Sequence, residues 1–474
     1  MTVLGELYSL SASTLVSALS AGELTAETLM ENTLARIAEV NPRVNAIISL
    51  RPDEDLLGAA RALDEKGQPG ALYGLPIAVK DLAQTKGVRT TWGSPLFRDF
   101  VPSEDDPFVK RLKAAGAIVI GKTNTPEFGL GSHSYNPVHG VTGNAYDPTR
   151  SAGGSSGGAA VALATGMLSL ADGSDMMGSL RNPAAWNNVY GFRPSYGLVP
   201  DNPAGELFLH QLSTNGPMAR SVRDLALLLD VMAGPDPRLP HSLSAQPSFA
   251  ARLDTSLQGR RIGWLGNWTG HYPMEAGILD LCETALDAFG TLGCKVERLE
   301  PQVDPHALWQ SWTTLRSWAV AGKFVGHYEQ PERRAQLKPE AIWEIERGLA
   351  LSARDIQKAS EVRSAWFREL AELFTQYDAL ALPSAQVFPF PVEWDWPREV
   401  SGHPMDSYHQ WMEVVVPASL AGLPTLGLPA GFGPQGLPMG MQLMGPRGGD
   451  ASILQLGHAY DRHTAWPVVS DGVN

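Results

Sequence analysis

The runs Ser151-Ala-Gly-Gly-Ser-Ser-Gly-Gly-Ala159 and Asp175-Met-Met-Gly-Ser-Leu-Arg181 set serines in two glycine-rich turns. Glycine has no Cβ, so it reaches positive φ and lets a ligand approach backbone N–H groups closely. A serine among such N–H groups can attack a carbonyl, provided a base takes its proton. A candidate base, Lys80, ends the apolar run Gly74-Leu-Pro-Ile-Ala-Val-Lys80 and is followed by Asp81. Working outward, Leu75–Val79, Ala117–Ile120 and Met167–Leu170 are short apolar runs bounded by glycine, proline or charge, and read as strands. Helical stretches near Phe108–Ala115 and Gly158–Thr165 lie between them, and Arg261–Leu265 and Lys295–Leu299 bracket another at Ala276–Leu292. Strands alternating with helices predict the α/β class.

Ahead of this core, Leu15, Leu19, Leu24, Leu29, Leu34 and Ile37 recur near helical spacing and predict a helix from about Ser11 to Val40, ended by Asn41-Pro42. Beyond it, Pro305–Phe374 is rich in helix formers and tryptophan. Residues 414–446 carry no charge, but Pro417, Pro424, Pro429, Pro434 and Pro438, interspersed with glycine, forbid a continuous membrane helix, so buried strands and turns are expected there. No repeat or linker splits the chain. A single domain over 1–474 is expected, with a helical segment at 1–60, a core at 61–235 and a helical cap at 300–400.

A net charge of −13 argues against nucleic acid or an anionic membrane as partner, since both need clustered Lys and Arg. Only two cysteines, Cys282 and Cys294, occur, too few for a disulfide framework. The first residues show no basic segment leading into an apolar one, so no secretory leader is expected and the expected compartment is cytoplasmic. A homodimer is compatible with all of this.

Lys80, Ser155 and Ser179 in these settings resemble the Lys/Ser/Ser triad of the amidase signature family. The match runs through Gly74-Leu-Pro before Lys80-Asp81, the Gly-Gly-Ser-Ser-Gly-Gly run and Ser179-Leu-Arg-Asn-Pro-Ala184. It extends to Gly121-Lys-Thr-Asn124, Glu127-Phe-Gly129, Asn144-Ala-Tyr-Asp147, Leu420-Ala-Gly-Leu-Pro424 and Gly436-Leu-Pro438. It covers most of residues 1–235 and 375–465. One position departs: Met177, preceded by Met176, stands where the family has a second glycine before the nucleophile. The resemblance implies one large domain with a mixed, twisted sheet flanked by helices on both faces.

It also implies roles. Ser179 is the nucleophile, Ser155 the relay whose peptide bond is cis, and Lys80 the general base; no metal or cofactor is required. The reaction is acyl transfer from a small-molecule carboxamide to water. Backbone N–H groups of Met176, Met177, Gly178 and Ser179 would bind the oxyanion, each donor contributing roughly 3–4 kcal/mol. To act as base Lys80 must be neutral, and burial at the end of an apolar strand lowers a lysine pKa. Ser156 adds a hydrogen bond near the relay, and Tyr135, within His133-Ser-Tyr-Asn-Pro-Val-His139, forms a wall of the site; that loop has no third ligand for a metal. Asp175 and Arg181 form an ion pair that holds the nucleophile turn.

Three competing readings remain. Gly116-Ala-Ile-Val-Ile-Gly-Lys-Thr123 satisfies a phosphate-loop pattern, but its apolar variable positions read as a buried strand. Gly154-Ser-Ser-Gly-Gly158 satisfies the nucleophile elbow of hydrolases and would make Ser156 the nucleophile of a Ser/His/Asp esterase, with His458 as a late histidine. The family also contains the glutaminase subunit of tRNA-dependent amidotransferases. Thirteen tryptophans, several at 309–411, favour apolar or aromatic amides.

Overall fold

The computed structural model describes residues 7–67, 70–244 and 246–470; the first six residues of the leader-free reading lie outside them. The strands preceding Lys80 and Ser179 are edges of two different sheets. Pro76–Lys80 is an edge of a three-stranded sheet, parallel to Ile118–Thr123, which pairs antiparallel with Ile47–Ile48 on its other side. Leu170–Asp175 is an edge of an eight-stranded sheet. Across that sheet the order is Lys295–Arg298, Arg261–Trp264, Ala379–Pro383, Pro438–Met444, Thr425–Phe432, Tyr190–Arg193, Thr214–Ala219 and Leu170–Asp175. The first three run parallel and the remaining pairings are antiparallel, so the sheet is mixed. The backbone N–H of Lys80 donates to Asp172 Oδ1 at 3.0 Å and ties the two edges together.

Helices cover both faces of the large sheet, because side chains alternate along each strand. On Thr425–Phe432, Leu426 packs against Gly457 of the helix Asp450–Thr464, while Gly427 faces the helix Arg181–Trp186. A Cβ on Gly427 would lie 2.8 Å from Arg181 Cα, so only glycine lets this short helix lie directly on the sheet. The α/β class and the mixed sheet inferred from sequence are therefore observed.

Three local expectations differ from the structure. The single helix over Ser11–Val40 is two, Ala12–Ser20 and Ala26–Val44. Thr25 starts the second, its hydroxyl accepting the Thr28 N–H at 3.1 Å, as Ser11 starts the first. The second helix also runs through Pro42, whose missing N–H costs one bond in the last turn. The strand placed at Met167–Leu170 is instead its polar continuation, Leu170–Asp175, because Asp172 and Ser174 find buried partners described below. Residues 414–446 contain the expected strands Thr425–Phe432 and Pro438–Met444, with an additional helix Val416–Ala421.

The segment rich in helix formers is helical throughout: Pro305–Tyr328, Pro331–Arg334, Pro339–Leu349 and Ala353–Leu373. Among the described residues no helix is long and apolar enough to cross a membrane. The phosphate-loop pattern falls on the fully buried strand Ile118–Thr123, and the Lys122 amine points inward, donating to Ala83 O and Thr85 Oγ1.

Candidate active site

Lys80 closes its strand at the seam between the sheets and is 1% exposed. Its Nζ donates to Ser155 Oγ and Ser156 Oγ, both at 2.8 Å, to Ser174 Oγ at 3.0 Å and to Ser174 O at 3.3 Å. None of these partners is a carboxylate. Burial lowers the Lys80 ammonium from its ordinary 10.5 to about 7, against the opposing pull of Asp172 and Asp175. Near neutrality the amine is thus poised to take a proton from a hydroxyl one hydrogen bond away. Burial also raises the Asp172 carboxyl, to about 6, although the Lys80 N–H and the charges of Lys122 and Lys80 oppose it.

Ser155 follows a cis Gly154–Ser155 peptide bond. The turn is held from two sides. Ser132 Oγ donates to Gly154 O at 2.6 Å and Ser134 Oγ to Gly153 O at 2.9 Å, while the side-chain amide of Asn182, on the helix Arg181–Trp186, lies 2.8 Å from Ser132 Oγ. Ser156 ends the turn, completely buried, and the helix Gly157–Ala164 starts after it. The Ser156 hydroxyl meets Lys80 and Ser174; no histidine among the described residues hydrogen-bonds to it. His458 has an acid neighbour not foreseen from the sequence, Asp254 at 3.4 Å, but that pair does not involve Ser156.

The turn bearing Ser179 hangs from Asp175. Its carboxylate accepts the Gly178 N–H at 2.8 Å and the Leu180 N–H at 3.1 Å, and it pairs with Arg181 at 2.9 Å and Arg193 at 3.3 Å. Burial acts to raise this carboxyl, but the two guanidinium groups and the Leu180 N–H hold it well below the usual carboxylate range. Arg181 is fixed in turn by Val415 O, Ser419 Oγ and Gln442 Oε1. Gly178 takes φ +80°, a conformation open to glycine. The Gly178 N–H therefore leaves the expected set of anion donors, having been taken by Asp175. Among the described residues, the N–H groups of Met176, Met177 and Ser179 have no protein acceptor, and the Ser179 hydroxyl, 7% exposed, makes no hydrogen bond. Lys80, Ser155 and Ser156 are brought into one hydrogen-bonded cluster; Ser179 is not bonded to it.

The methionine side chains leave the turn toward the helix Pro305–Tyr328. Trp312 Nε1–H donates to Met177 Sδ at 3.2 Å and the Arg316 guanidinium to Met176 Sδ at 3.1 Å. Near Ser155 lies a groove of about 200 Å³ lined by Leu82, Trp92, Phe97, Phe128, Lys323, Phe324 and His327. A Cβ on Gly129 would lie 2.8 Å from Leu82 Cδ1 and 3.4 Å from Ser155 Oγ, so Gly129 neighbours both the groove residue Leu82 and that hydroxyl. The rings pack edge-on or tilted, Trp92 on Phe97 at 4.6 Å and Phe128 on Phe324 at 4.4 Å.

Tyr135 is half-buried, 5.0 Å from the His133 ring and beneath the Lys338 amine. His133 is engaged by Ser151 Oγ at 2.7 Å and Val392 O at 3.0 Å, and burial lowers it to about 4. No group of three or more His, Cys, Asp or Glu able to hold a metal occurs among the described residues. Of the tryptophans at 309–411, Trp309, Trp312, Trp366 and Trp411 are buried in the core, and none of that stretch lines the groove, whose tryptophan is Trp92. Sequence reasoning missed Asp172, Ser174 and Arg193. For the first two a signal exists: in a strand over 170–175, residues 172 and 174 share the face toward Lys80, and Asp175 takes the opposite one.

A family model described as Amidase matches residues 28–454. A glutamyl-tRNA(Gln) amidotransferase subunit of Chloroflexus aurantiacus is 34% identical over 489 residues, spanning 97% of this chain and 98% of the relative. Among solved structures, a bacterial aryl acylamidase of the amidase signature family superposes with a TM-score of 0.91 at 27% identity, covering 97% of each chain. The corresponding glutamyl-tRNA(Gln) amidotransferase subunit from Thermotoga maritima superposes with a TM-score of 0.80 at 29% identity, covering 99% of each.

Proposed function

The chain belongs to the amidase signature family and is an amide-hydrolysing enzyme, and we propose that it works through a Ser179 acyl-enzyme with Ser155 as relay and Lys80 as general base. The Ser179 oxygen bonds to the amide carbon while its proton passes through Ser155 to Lys80. The C–N bond then breaks as that proton returns to the leaving nitrogen, and water, deprotonated by the same route, releases the carboxylate. The N–H groups of Met176, Met177 and Ser179 receive the oxyanion.

The observation that carries this reading is the buried Lys80 amine, lowered to about 7 and 2.8 Å from Ser155. Ser156, shut beneath that amine, is better suited to holding Lys80 than to attacking a substrate. The test is mass-spectrometric mapping of the serine modified by a fluorophosphonate, with Lys80→Ala for comparison. Label on Ser179 that weakens in the variant supports the triad; label on Ser156 that ignores Lys80 supports a Ser/His/Asp esterase instead.

The aromatic groove near Ser155 favours amides with an apolar or aryl group, and the helix Pro305–Tyr328, which carries Phe324 of that groove, covers it; the helical cap expected over 300–400 is cut short by the strand Ala379–Pro383, which lies within the large sheet. A second reading, the glutaminase subunit of a tRNA-dependent amidotransferase, is favoured by the relatives of that name. Met177 in place of glycine weighs against it. Purified protein that hydrolyses acetanilide on its own supports the free-standing amidase; strict dependence on partner proteins, ATP and charged tRNA supports the amidotransferase.

A further inference from the structure

Trp312 and Arg316 lie four residues apart on the helix Pro305–Tyr328 and so share one face. From that face each donates to the thioether of one of two consecutive residues, Met177 and Met176, in the turn before Ser179. Trp312 is completely buried, and a thioether is only a weak acceptor for its indole N–H. Arg316 is itself locked: Nε donates to Glu344 Oε1 at 2.7 Å, Nη2 to Tyr408 OH at 2.7 Å, and Ser317 Oγ holds the other Glu344 oxygen at 2.6 Å. Glycine at these two positions would give the helix nothing to hold. The same helix carries Phe324 of the aromatic groove, so groove wall and turn are anchored to one rigid element.

We propose that Trp312 and Arg316 are positioning residues: through the Met177 and Met176 thioethers they orient the backbone N–H groups that receive the oxyanion. This rests on reading Ser179 as the nucleophile. The departure of Met177 from the family glycine is then a change of how the turn is held, with its donors kept.

The experiment measures the rate constant for fluorophosphonate labelling of Ser179, together with kcat and KM for acetanilide. Trp312→Phe keeps most of the ring and loses the N–H. Labelling and kcat fall roughly tenfold while KM stays within about twofold, because a misaimed donor costs transition-state stabilisation and little ground-state binding. In a Met177→Leu background, which has lost the thioether, Trp312→Phe has no further effect. Equal slowing by Trp312→Phe in both backgrounds overturns the proposal. Arg316→Lys with Met176→Leu repeats the cycle if the tryptophan variant does not fold. Wild-type protein unlabelled at Ser179 defeats the nucleophile assignment, whereas Ser179 labelled equally fast in wild type and in every variant defeats only the positioning role.

Discussion

The Lys80 amine and the Ser155 hydroxyl are 2.8 Å apart at a seam between two sheets, and among the described residues no carboxylate hydrogen-bonds to the amine. A base must be unprotonated to act, so kcat/KM rises with pH through about 7 and levels off above it. Asp172 raises the Lys80 value, and Asp172→Asn therefore moves the acid limb of the profile to lower pH. Profiles of wild type and variant, recorded with one amide substrate, check both statements.

The two neighbouring serines are predicted to differ. Ser155→Ala breaks the proton path and lowers kcat by about 10³-fold or more. Ser156→Ala removes one of several hydrogen bonds that hold Lys80 and lowers kcat by about tenfold. Steady-state kinetics on both variants decides the matter, and the reverse order of damage would make Ser156 the nucleophile.

Asp175 matters first for folding. Asp175→Asn leaves two fully buried guanidinium groups short of their counter-charge and takes the acceptor from one of the Gly178 and Leu180 N–H groups. The expected loss is about 3–5 kcal/mol, read from denaturant unfolding at neutral pH.

In the groove near Ser155, Phe128→Ala removes a ring packed on Phe324. For an anilide substrate kcat/KM falls by about tenfold, and for acetamide it is unchanged within about twofold. A parallel fall for both substrates would mean that the groove does not hold the aryl group.

How legible is this site in the sequence? Lys80, Ser155 and Ser156 stand in glycine-rich or strand-end settings whose chemistry is written locally, and the α/β alternation follows from short apolar runs. Asp172 and Ser174 stay hidden as long as strands are sought among apolar residues. A buried edge strand at a reactive site is polar wherever its side chains have partners, and periodicity of hydrophobicity does not see that. Thr25 carries a capping signal that the leucine spacing across the break outweighs. Arg193, Trp312 and Arg316 act over long sequence separations, and nothing local in a single chain announces such contacts.

All three residues of the proposed triad, Lys80, Ser155 and Ser179, lie before residue 180, yet Arg181, which pairs with Asp175 at the Ser179 turn, is gripped by Val415, Ser419 and Gln442. An amino-terminal fragment ending near residue 235 would hold the whole triad in its sequence and lack its clasp. Such a fragment should be inert alone and regain activity when the missing half is supplied as a separate polypeptide. Turnover would then serve as a gauge of whether the two halves of the chain have found each other.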